Sequence, residues 1–341
     1  MSLPPEAAIC IPTFNQAPFL RAAVLSALAQ ENVPVEVWVG DDASTDDTPA
    51  VMAELCRAHP NLHYRRAEQN RGIAENSSWI LAQPATPFVA RLDSDDLLHP
   101  RYLSTLLTHL HAHAQAGYAH TAVVNMDAQG TALATKRVAR PTGFQNADTA
   151  LRAAVHGYRT AANILLFRAA ALRALEYYHG RPEFVEDYDL AVRMAAAGWG
   201  NVYVDEPLAS YRVWRDAGHT RARRKHLQLR GYCRIFEESL APAFAARGWS
   251  LRPVTRGRRR FALTNVAYCH QALFSPAEQQ ELRALLWRLG AGWSLRVALL
   301  LAHWRLHWVL AGWHQVNWWA RGIVKSLLSS FRRAPAVRVL P

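Results

Sequence analysis

The sequence has few cysteines and no apparent export signal. Its 341 residues contain four cysteines, and no two of these form a Cys-x-x-Cys pair. This spacing excludes a dense disulfide framework and a zinc ribbon, and it is typical of reduced thiols in a cytosolic protein. The first residues, MSLPPEAAICIP, lack the basic and long apolar segments of a signal peptide. We therefore predict that the bulk of the protein stays inside the cell.

Long apolar runs are also missing from the C-terminal region. The most apolar stretch, residues 306–320, is interrupted by His307, His314, Gln315 and Asn317. A membrane-spanning helix needs about 20 predominantly apolar residues in a row. The sequence therefore predicts no spanning helix there.

Acidic residues become scarce after residue 220. Residues 221–341 hold 21 Lys+Arg against 4 Asp+Glu, whereas residues 1–220 hold 18 against 23. The formal net charge of +12 therefore divides into −5 and +17. Tryptophan is skewed in the same direction, since seven of the twelve lie between residues 287 and 319. This shift predicts two regions with different roles, 1–220 and 221–341.

Strand-like and helix-like patterns alternate over the first hundred residues. The strand-like segments are residues 7–14, 35–40, 62–66 and 87–92, and the helix-like segments are residues 17–30, 48–58 and 73–82. This alternation predicts an α/β domain with a mixed, mainly parallel sheet, whose ligands bind at the carboxyl ends of the strands. Weaker strands at 118–126 and 201–213 flank a helix at 187–197, and the chain after Arg221 is predicted to be helical.

Three carboxylates crowd the stretch RLDSDD behind the fourth strand. Asp93, Asp95 and Asp96 repel one another unless a cation, a helix cap or water offsets their charge. An EF-hand is excluded, because Leu98 stands where the loop needs Gly. Capping of a helix that begins near His99 accounts for one or two of the carboxylates. A divalent cation bound together with a diphosphate accounts for more of them, and we favour it.

Five motifs in order resemble those of family 2 glycosyltransferases with the GT-A fold, a nucleotide-binding fold similar to the Rossmann fold. They are ICIPTFN, VEVWVGDDASTDDT, NRGIAENSS, RLDSDD and VEDYDLAVRM, and they fall within about residues 7–215. The resemblance implies inverting, metal-dependent transfer of one sugar from a nucleotide-diphosphate sugar, with UDP favoured, to a glycan or polyprenyl-linked acceptor in cell-surface polysaccharide biosynthesis. It also implies a nucleotide-sugar half, residues 1–110, and an acceptor half, residues 111–220.

The resemblance assigns the donor site to six residues. Pro12, Thr13 and Asp42 would hold the base, and Arg71 would lie near the ribose or the diphosphate. Asp93 and Asp95 form the DxD motif, in which Asp95 is the direct ligand of Mn²⁺ or Mg²⁺ and Asp93 contacts the ribose or water around the metal.

Three further residues are assigned to the metal and to the acceptor. His219 would be another metal or phosphate contact, Asp187 the general base, and Glu186 an acceptor-binding residue. From the residues alone, an alternative for the last two is that they complement the dipole at the start of a helix, together with Asp189. Arg193 is predicted to be a salt-bridge partner. The absence of a QxxRW motif and of multiple spanning helices argues against a processive synthase.

The basic, tryptophan-rich tail predicts attachment to a membrane surface. Val297, Leu300, Leu301, Trp304 and Trp308 form an apolar stripe that basic side chains flank. Such a helix lies in the headgroup region of an anionic bilayer, here on the inner face of the cytoplasmic membrane. The alternative is an amphipathic helix packed on the catalytic domain.

Two other functions fit the sequence less well. Nucleic-acid binding through RARRK and RGRRR leaves the acidic clusters unexplained, so we predict no nucleic-acid partner. Sugar nucleotidyltransferases usually carry a Gly-rich loop with a basic residue after the first strand, which PTFNQAPF lacks.

Overall fold

The computed structural model describes residues 4–181, 183–214 and 220–304. The chain forms two compact units, and the boundary between them lies between Gly257 and Arg258. The first unit contains the sheet, and the described part of the second is helical.

Ten strands within the described residues form one sheet. They are β1 (Ala7–Thr13), β2 (Val35–Asp41), β3 (Leu62–Arg66), β4 (Phe88–Arg91), β5 (Leu97–Leu98), β6 (Ala116–Met126), β7 (Ala132–Lys136), β8 (Gly143–Gln145), β9 (Leu165–Arg168) and β10 (Gly200–Arg212). Their order is β3-β2-β1-β4-β9-β6-β10-β5, with β7 paired to β6 and β8 paired to β10. The strands β1, β2, β3, β4, β6 and β10 share one direction, and the other four oppose it. The predicted mixed, mainly parallel sheet is confirmed.

Helices connect and follow these strands. In the first unit they are α1 (Ala17–Leu28), α2 (Thr48–Ala58), α3 (Ile73–Leu81), α4 (Tyr102–Ala112), α5 (Ala147–Ala154), α6 (Ala169–Ala174), α7 (Glu186–Ala196), α8 (Thr220–Arg223), α9 (Lys225–Arg234) and α10 (Ala241–Ala246). A π-helical segment, Ile235–Leu240, joins α9 to α10, and α11 (Arg252–Thr264) begins in the first unit and ends in the second.

The central strand β1 is buried on both of its faces. Ile9 and Ile11 belong to the core that includes Leu20 and Val24 of α1, whereas Cys10 belongs to the core on the opposite face. Both cores are apolar because helices cover the two faces of the sheet, so the strand reads as a continuous apolar run rather than an alternating one.

Parallel pairing brings several strand ends to one edge of the sheet. Thr13 at the end of β1 pairs with Asp41 at the end of β2, and β4 lies on the other side of β1. A Cβ atom on Gly40 would lie 2.8 Å from Cβ of Ile80. Only glycine therefore lets α3 pack this closely on the end of β2, which fixes the start of the loop that follows.

The first unit extends past the predicted boundary near residue 220. Arg234 of α9 lies 2.7 Å from Glu183 Oε2 and 3.0 Å from Asp189 Oδ1, and it is buried. Asp189 also accepts a hydrogen bond from Arg193 over 2.8 Å, as expected of a salt-bridge partner. These buried ion pairs join α9 to the start of α7 within one compact unit.

The described part of the second unit is formed by helices. After the end of α11 it contains a 3₁₀ helix, Val266–His270, followed by α12 (Pro276–Gly290) and α13 (Trp293–His303). Ser275 and Glu278 form a reciprocal capping box at the start of α12, which satisfies two backbone N–H groups. The predicted helical C-terminal region is confirmed for these residues. None of the helices among the described residues is long and apolar enough to cross a bilayer.

The buried ion pairs of α9 generate a stability prediction. We expect Arg234→Met to lower the free energy of unfolding by about 3 kcal/mol, because removing one partner leaves buried charge uncompensated. Urea denaturation of the full chain measures this change. Arg21→Met is the control, since its pair with Glu54 is exposed and should contribute far less. Equal losses in the two variants would mean that the Arg234 network does not hold α9 in place.

Candidate functional site

A cleft of about 620 Å³ opens at the carboxyl ends of β1, β2 and β4. Its volume lies in the range of small-molecule sites. Five of the residues predicted from the sequence line it together, namely Pro12, Thr13, Asp42, Asp93 and Asp95. Segments remote in the chain therefore meet here because parallel strands end at the same edge.

Asp42 holds the turn that begins α3. Its Oδ1 accepts from the backbone N–H of Arg71 over 2.7 Å, and its Oδ2 accepts from Gly72 over 2.9 Å. Gly72 has a φ of 86°, a conformation in which glycine avoids strain. A carboxylate offers about four acceptor sites, so Asp42 retains acceptor capacity toward the cleft that it lines.

Arg71 is exposed and its guanidinium stacks on a neighbouring ring. The guanidinium carbon lies 4.5 Å from the centre of the Trp79 ring, and Arg71 is not among the residues that line the cleft. The structure therefore separates this side chain from the other predicted nucleotide-binding residues.

The cleft also contains residues that sequence analysis missed. Phe14 and Ile73 line it and are 45% and 50% exposed although they are apolar. Thr13 Oγ1, Gln16 Oε1 and Asn76 Oδ1 are buried and have no hydrogen-bond partner within the described residues. Ligand pockets combine apolar side chains with a few convergent polar groups in this way.

The acidic cluster behind β4 does not cap a helix. Leu97 and Leu98 form β5 instead, and α4 begins at Tyr102 without a side-chain cap. Asp96 Oδ1 accepts from the backbone N–H of Arg212 over 2.7 Å, and Asp95 Oδ2 accepts from Trp214 Nε1 over 2.6 Å. The helix-cap alternative is therefore excluded for this cluster.

Burial and mutual repulsion both act on the carboxylates of the cluster. Burial raises the pKa of Asp95, and the charge of Asp93 raises it further, although the indole N–H of Trp214 opposes this. Burial also raises the pKa of Asp96 well above its usual range, with additional repulsion from Asp93 and Asp95. Added positive charge would stabilise the ionised forms.

The donor set fits a hard divalent cation. Two carboxylates are sufficient for Mg²⁺ or Mn²⁺ when water and substrate phosphates supply the other ligands. The part of the chain that the structure describes contains no group of three or more His, Cys, Asp or Glu side chains able to hold a metal by themselves. His219, the third predicted ligand, lies outside the described residues.

Arg212, the last residue of β10, lines the cleft beside the acidic cluster. The guanidinium of Arg212 donates to the backbone carbonyls of Asp95, Asp127 and Ala128 at 2.9 Å. The Arg212 side chain therefore holds the backbone of the acidic loop, and the Asp96 side chain in turn holds the backbone of Arg212. Tyr211 lines the same cleft.

Glu186 and Asp187 are the first two residues of α7, which lies far from the acidic cluster in the sequence. Asp187 is connected to the cluster through Arg91, whose Nη1 lies 2.8 Å from Asp187 Oδ1 and whose Nη2 lies 3.0 Å from Asp93 Oδ1. The pKa of Asp187 is raised to about 7, mainly by burial and also by the charges of Glu186 and Asp93, while the charge of Arg91 opposes the rise. A carboxylate with this pKa is matched to proton transfer near neutral pH.

Sequence analysis did not single out Arg91. The residue is 1% exposed, and a buried arginine at the end of a strand needs carboxylate partners. Its position directly before the acidic motif was therefore a usable signal, although the partner in α7 was not visible from the sequence.

Comparison with known proteins agrees with this geometry. The profile of Glycosyl transferase family 2 matches residues 8–173. Chondroitin synthase of Escherichia coli is 25% identical over 194 residues, which are 57% of this chain and 27% of that protein. Succinoglycan biosynthesis protein ExoU of Rhizobium meliloti is 32% identical over 206 residues, 57% of this chain and 58% of that protein. The matches thus span less than two thirds of the length of these relatives.

Two solved structures share the fold. TarS 1–349 of S. aureus in complex with UDP-GlcNAc has a TM-score of 0.64 at 16% identity, covering 89% of this chain and 88% of that one. The mannosyltransferase PcManGT of Pyrobaculum calidifontis, in complex with GDP-Man and Mn²⁺, has a TM-score of 0.56 at 18% identity, covering 89% and 80%. The sheet, the cleft and the family profile agree: the chain has the GT-A fold, and its residues 8–173 form a Glycosyl transferase family 2 domain.

Proposed function

We propose that this chain is an inverting, metal-dependent glycosyltransferase that moves one sugar from a nucleoside-diphosphate sugar to a glycan or lipid-linked acceptor in polysaccharide biosynthesis. The observation that carries the proposal is the single cleft that Thr13, Asp42, Asp93 and Asp95 line together in a family 2 chain. The UDP-GlcNAc complex of TarS favours UDP, and the GDP-Man complex of PcManGT makes GDP the alternative to test.

The donor binds along the cleft. Pro12, Thr13 and Asp42 hold the base, and the exposed ring of Phe14 offers a face on which it can stack. Asp93 contacts the ribose or the water around the cation. For Arg71 to reach the ribose or diphosphate, its guanidinium has to leave the ring of Trp79.

Asp95 would hold the divalent cation directly and Asp93 through water, with His219 proposed as a further ligand. When bound, the cation neutralises negative charge on the nucleoside diphosphate as it leaves. Burial of Asp95 and Asp96, with repulsion inside the cluster, raises the pKa of both carboxyls, and a bound cation would offset both effects.

Asp187 is the general base of a direct displacement. It accepts the proton of the acceptor hydroxyl as the oxygen forms a bond to the anomeric carbon and the bond to the diphosphate oxygen breaks. Attack from the face opposite the leaving group inverts the anomeric configuration, and one base is sufficient because no covalent sugar intermediate forms. Glu186, adjacent on the first turn of α7, orients the acceptor.

We place the acceptor, and the second unit, at an anionic membrane surface on the inner face of the cytoplasmic membrane. One relative, 34% identical over 117 residues, is named a GalNAc(5)-diNAcBac-PP-undecaprenol glucosyltransferase of Campylobacter jejuni. One face of α13 exposes Trp293, Val297, Leu300 and Trp304 by 44% to 75%. Exposed apolar residues at this spacing, beside the exposed Arg296, are typical of an interfacial helix. Leu301 of the predicted stripe is half-buried, and Trp308 lies outside the described residues.

Donor binding is predicted to require Asp95. We expect isothermal titration to show binding of UDP in the presence of Mn²⁺, and Asp95→Ala to weaken it at least about tenfold, because a direct ligand of the cation is lost. GDP is titrated in parallel to identify the nucleotide. Asp148→Asn, an exposed carboxylate on α5, is the matched control. Unchanged affinity in Asp95→Ala would remove Asp95 from the metal site.

The base assignment predicts a pH dependence. Asp187 must be ionised to accept a proton, so turnover should rise with pH through about 7 and fall about tenfold per pH unit below it. The assay is release of nucleoside diphosphate from UDP-glucose, UDP-GlcNAc, UDP-galactose and GDP-mannose, with water in place of the acceptor. Asp187→Asn should lower the rate by about 10²–10⁴-fold. A rate that this variant leaves intact would rule out Asp187 as the base.

The exposed face of α13 is predicted to bind anionic lipid. We expect Val297→Ser with Leu300→Ser to reduce co-sedimentation with phosphatidylglycerol vesicles at least about tenfold, because apolar burial in the bilayer is lost. Leu251→Ser with Leu133→Ser is the control, since these residues are 45% and 59% exposed, close to 44% and 59% for the tested pair. Equal binding by both variants would disprove attachment through α13.

A further inference from the structure

Arg91 joins the two acidic segments of the site. It ends β4, is 1% exposed, and places Nε and Nη2 at 3.1 and 3.0 Å from Asp93 Oδ1. Its Nη1 donates to Asp187 Oδ1 over 2.8 Å, although Asp187 lies 96 positions further along the chain. One guanidinium therefore contacts one oxygen of each carboxylate, and the second oxygens lie outside these hydrogen bonds.

Stability alone is a weak reason for this arrangement. The cost of burying a guanidinium and two carboxylates often exceeds their mutual attraction, so apolar residues of similar size can replace a buried ion pair without loss. What apolar residues cannot reproduce is a fixed separation between two carboxylates. The planar guanidinium presents its donors in a rigid fork, whereas lysine offers a single point charge on a flexible stem.

We infer that Arg91 is a positioning residue for sugar transfer, holding the donor-side carboxylate of Asp93 and the base carboxylate of Asp187 at one separation. The inference rests on the proposed function. Asp93 lies where the donor binds and Asp187 where the acceptor hydroxyl is deprotonated, so the fork sets how close the acceptor oxygen comes to the anomeric carbon. A misplacement of about 1 Å can cost about 10²-fold in rate.

The environment of Asp187 indicates what the loss of Arg91 would do. The charged and titratable groups that act on Asp187 are Arg91 and Asp93 from the end of β4, Glu186 on α7, and Tyr158 and Tyr178 from the segments before it. Arg91 is the cation in this set, and it lowers the pKa of Asp187. Charge and geometry can therefore be separated by two substitutions at this position.

The first arm of the test compares Arg91→Lys with Arg91→Gln in the nucleoside-diphosphate release assay. Lysine keeps the positive charge but lacks the planar array of donors that contacts both carboxylates, so we expect turnover to fall at least about 30-fold. The acidic limb of the pH profile should stay in place, because the charge beside Asp187 is kept. Glutamine lacks both the charge and the array of donors, so the acidic limb of the pH profile should also move up by about one pH unit. The affinity for UDP with Mn²⁺ should change less than about fivefold in either variant, because Asp93 and Asp95 are both retained.

Arg168→Gln is the matched control. Arg168 ends β9 and pairs with Phe88 at the opposite end of β4, and its guanidinium donates to the carbonyls of Ala116 and Leu110 at 3.2 and 2.9 Å. We expect this variant to lose thermal stability while its turnover and pH profile match those of the unaltered chain.

The second arm of the test measures only the affinity for UDP with Mn²⁺. Neutralising Asp187 leaves the charge of Arg91 on Asp93, where it competes with a cation, so Asp187→Asn should weaken UDP–Mn²⁺ binding about threefold. On the Arg91→Gln background the same substitution should change the affinity much less, because coupled residues are not additive.

The two arms distinguish a failure of the Arg91 inference from a failure of the proposed function. If Arg91→Gln matches Arg168→Gln in turnover and pH profile, or if Asp187→Asn has equal effects on binding in both backgrounds, Arg91 does not position the base. If the unaltered chain neither binds UDP or GDP with Mn²⁺ nor releases nucleoside diphosphate from the four donors, the proposed function fails and the inference fails with it.

Discussion

Buried arginines in this protein are held by carboxylates and backbone carbonyls from distant parts of the chain, and the site is built on these contacts. Arg91, Arg212 and Arg234 are 1%, 6% and 7% exposed. Each lies at the end of a strand or helix and contacts groups from another element. Because a buried cation without a partner is costly, these contacts determine where the acidic loop, the start of α7 and α9 can lie.

The architecture of the cleft was largely accessible from the sequence. Runs such as AAICIPT and the polar residues behind them predicted parallel strands and a ligand site at their carboxyl ends, and β1, β2, β3 and β4 lie within two residues of the predicted bounds. Strand β9, four residues long, was missed because its LLFR pattern cannot be told from a helical segment. The short β5 was missed for the same reason, and with it the lack of a helix cap for the acidic cluster.

The contacts that define the site were not accessible in the same way. Nothing local in the sequence pairs Arg91 with a carboxylate 96 positions away, or Trp214 with Asp95. Asp42 and Arg71 were assigned through family resemblance, and the structure places one in the cleft and the other against Trp79. Periodicity reports which face of an element is buried, whereas tertiary packing decides which polar groups meet.

The position of the unit boundary has a practical consequence for protein engineering. The change in composition near residue 220 invites the choice of that point for shortening the chain, yet α9, the π-helical segment and α10 belong to the compact unit that ends at Gly257. A chain cut near residue 220 would leave Glu183 without its cation and would lose the buried side chains of Leu229 and Phe236, exposing the surface that they cover. Recombinant fragments and chimaeras that are meant to keep the cleft should therefore join the chain beyond Gly257.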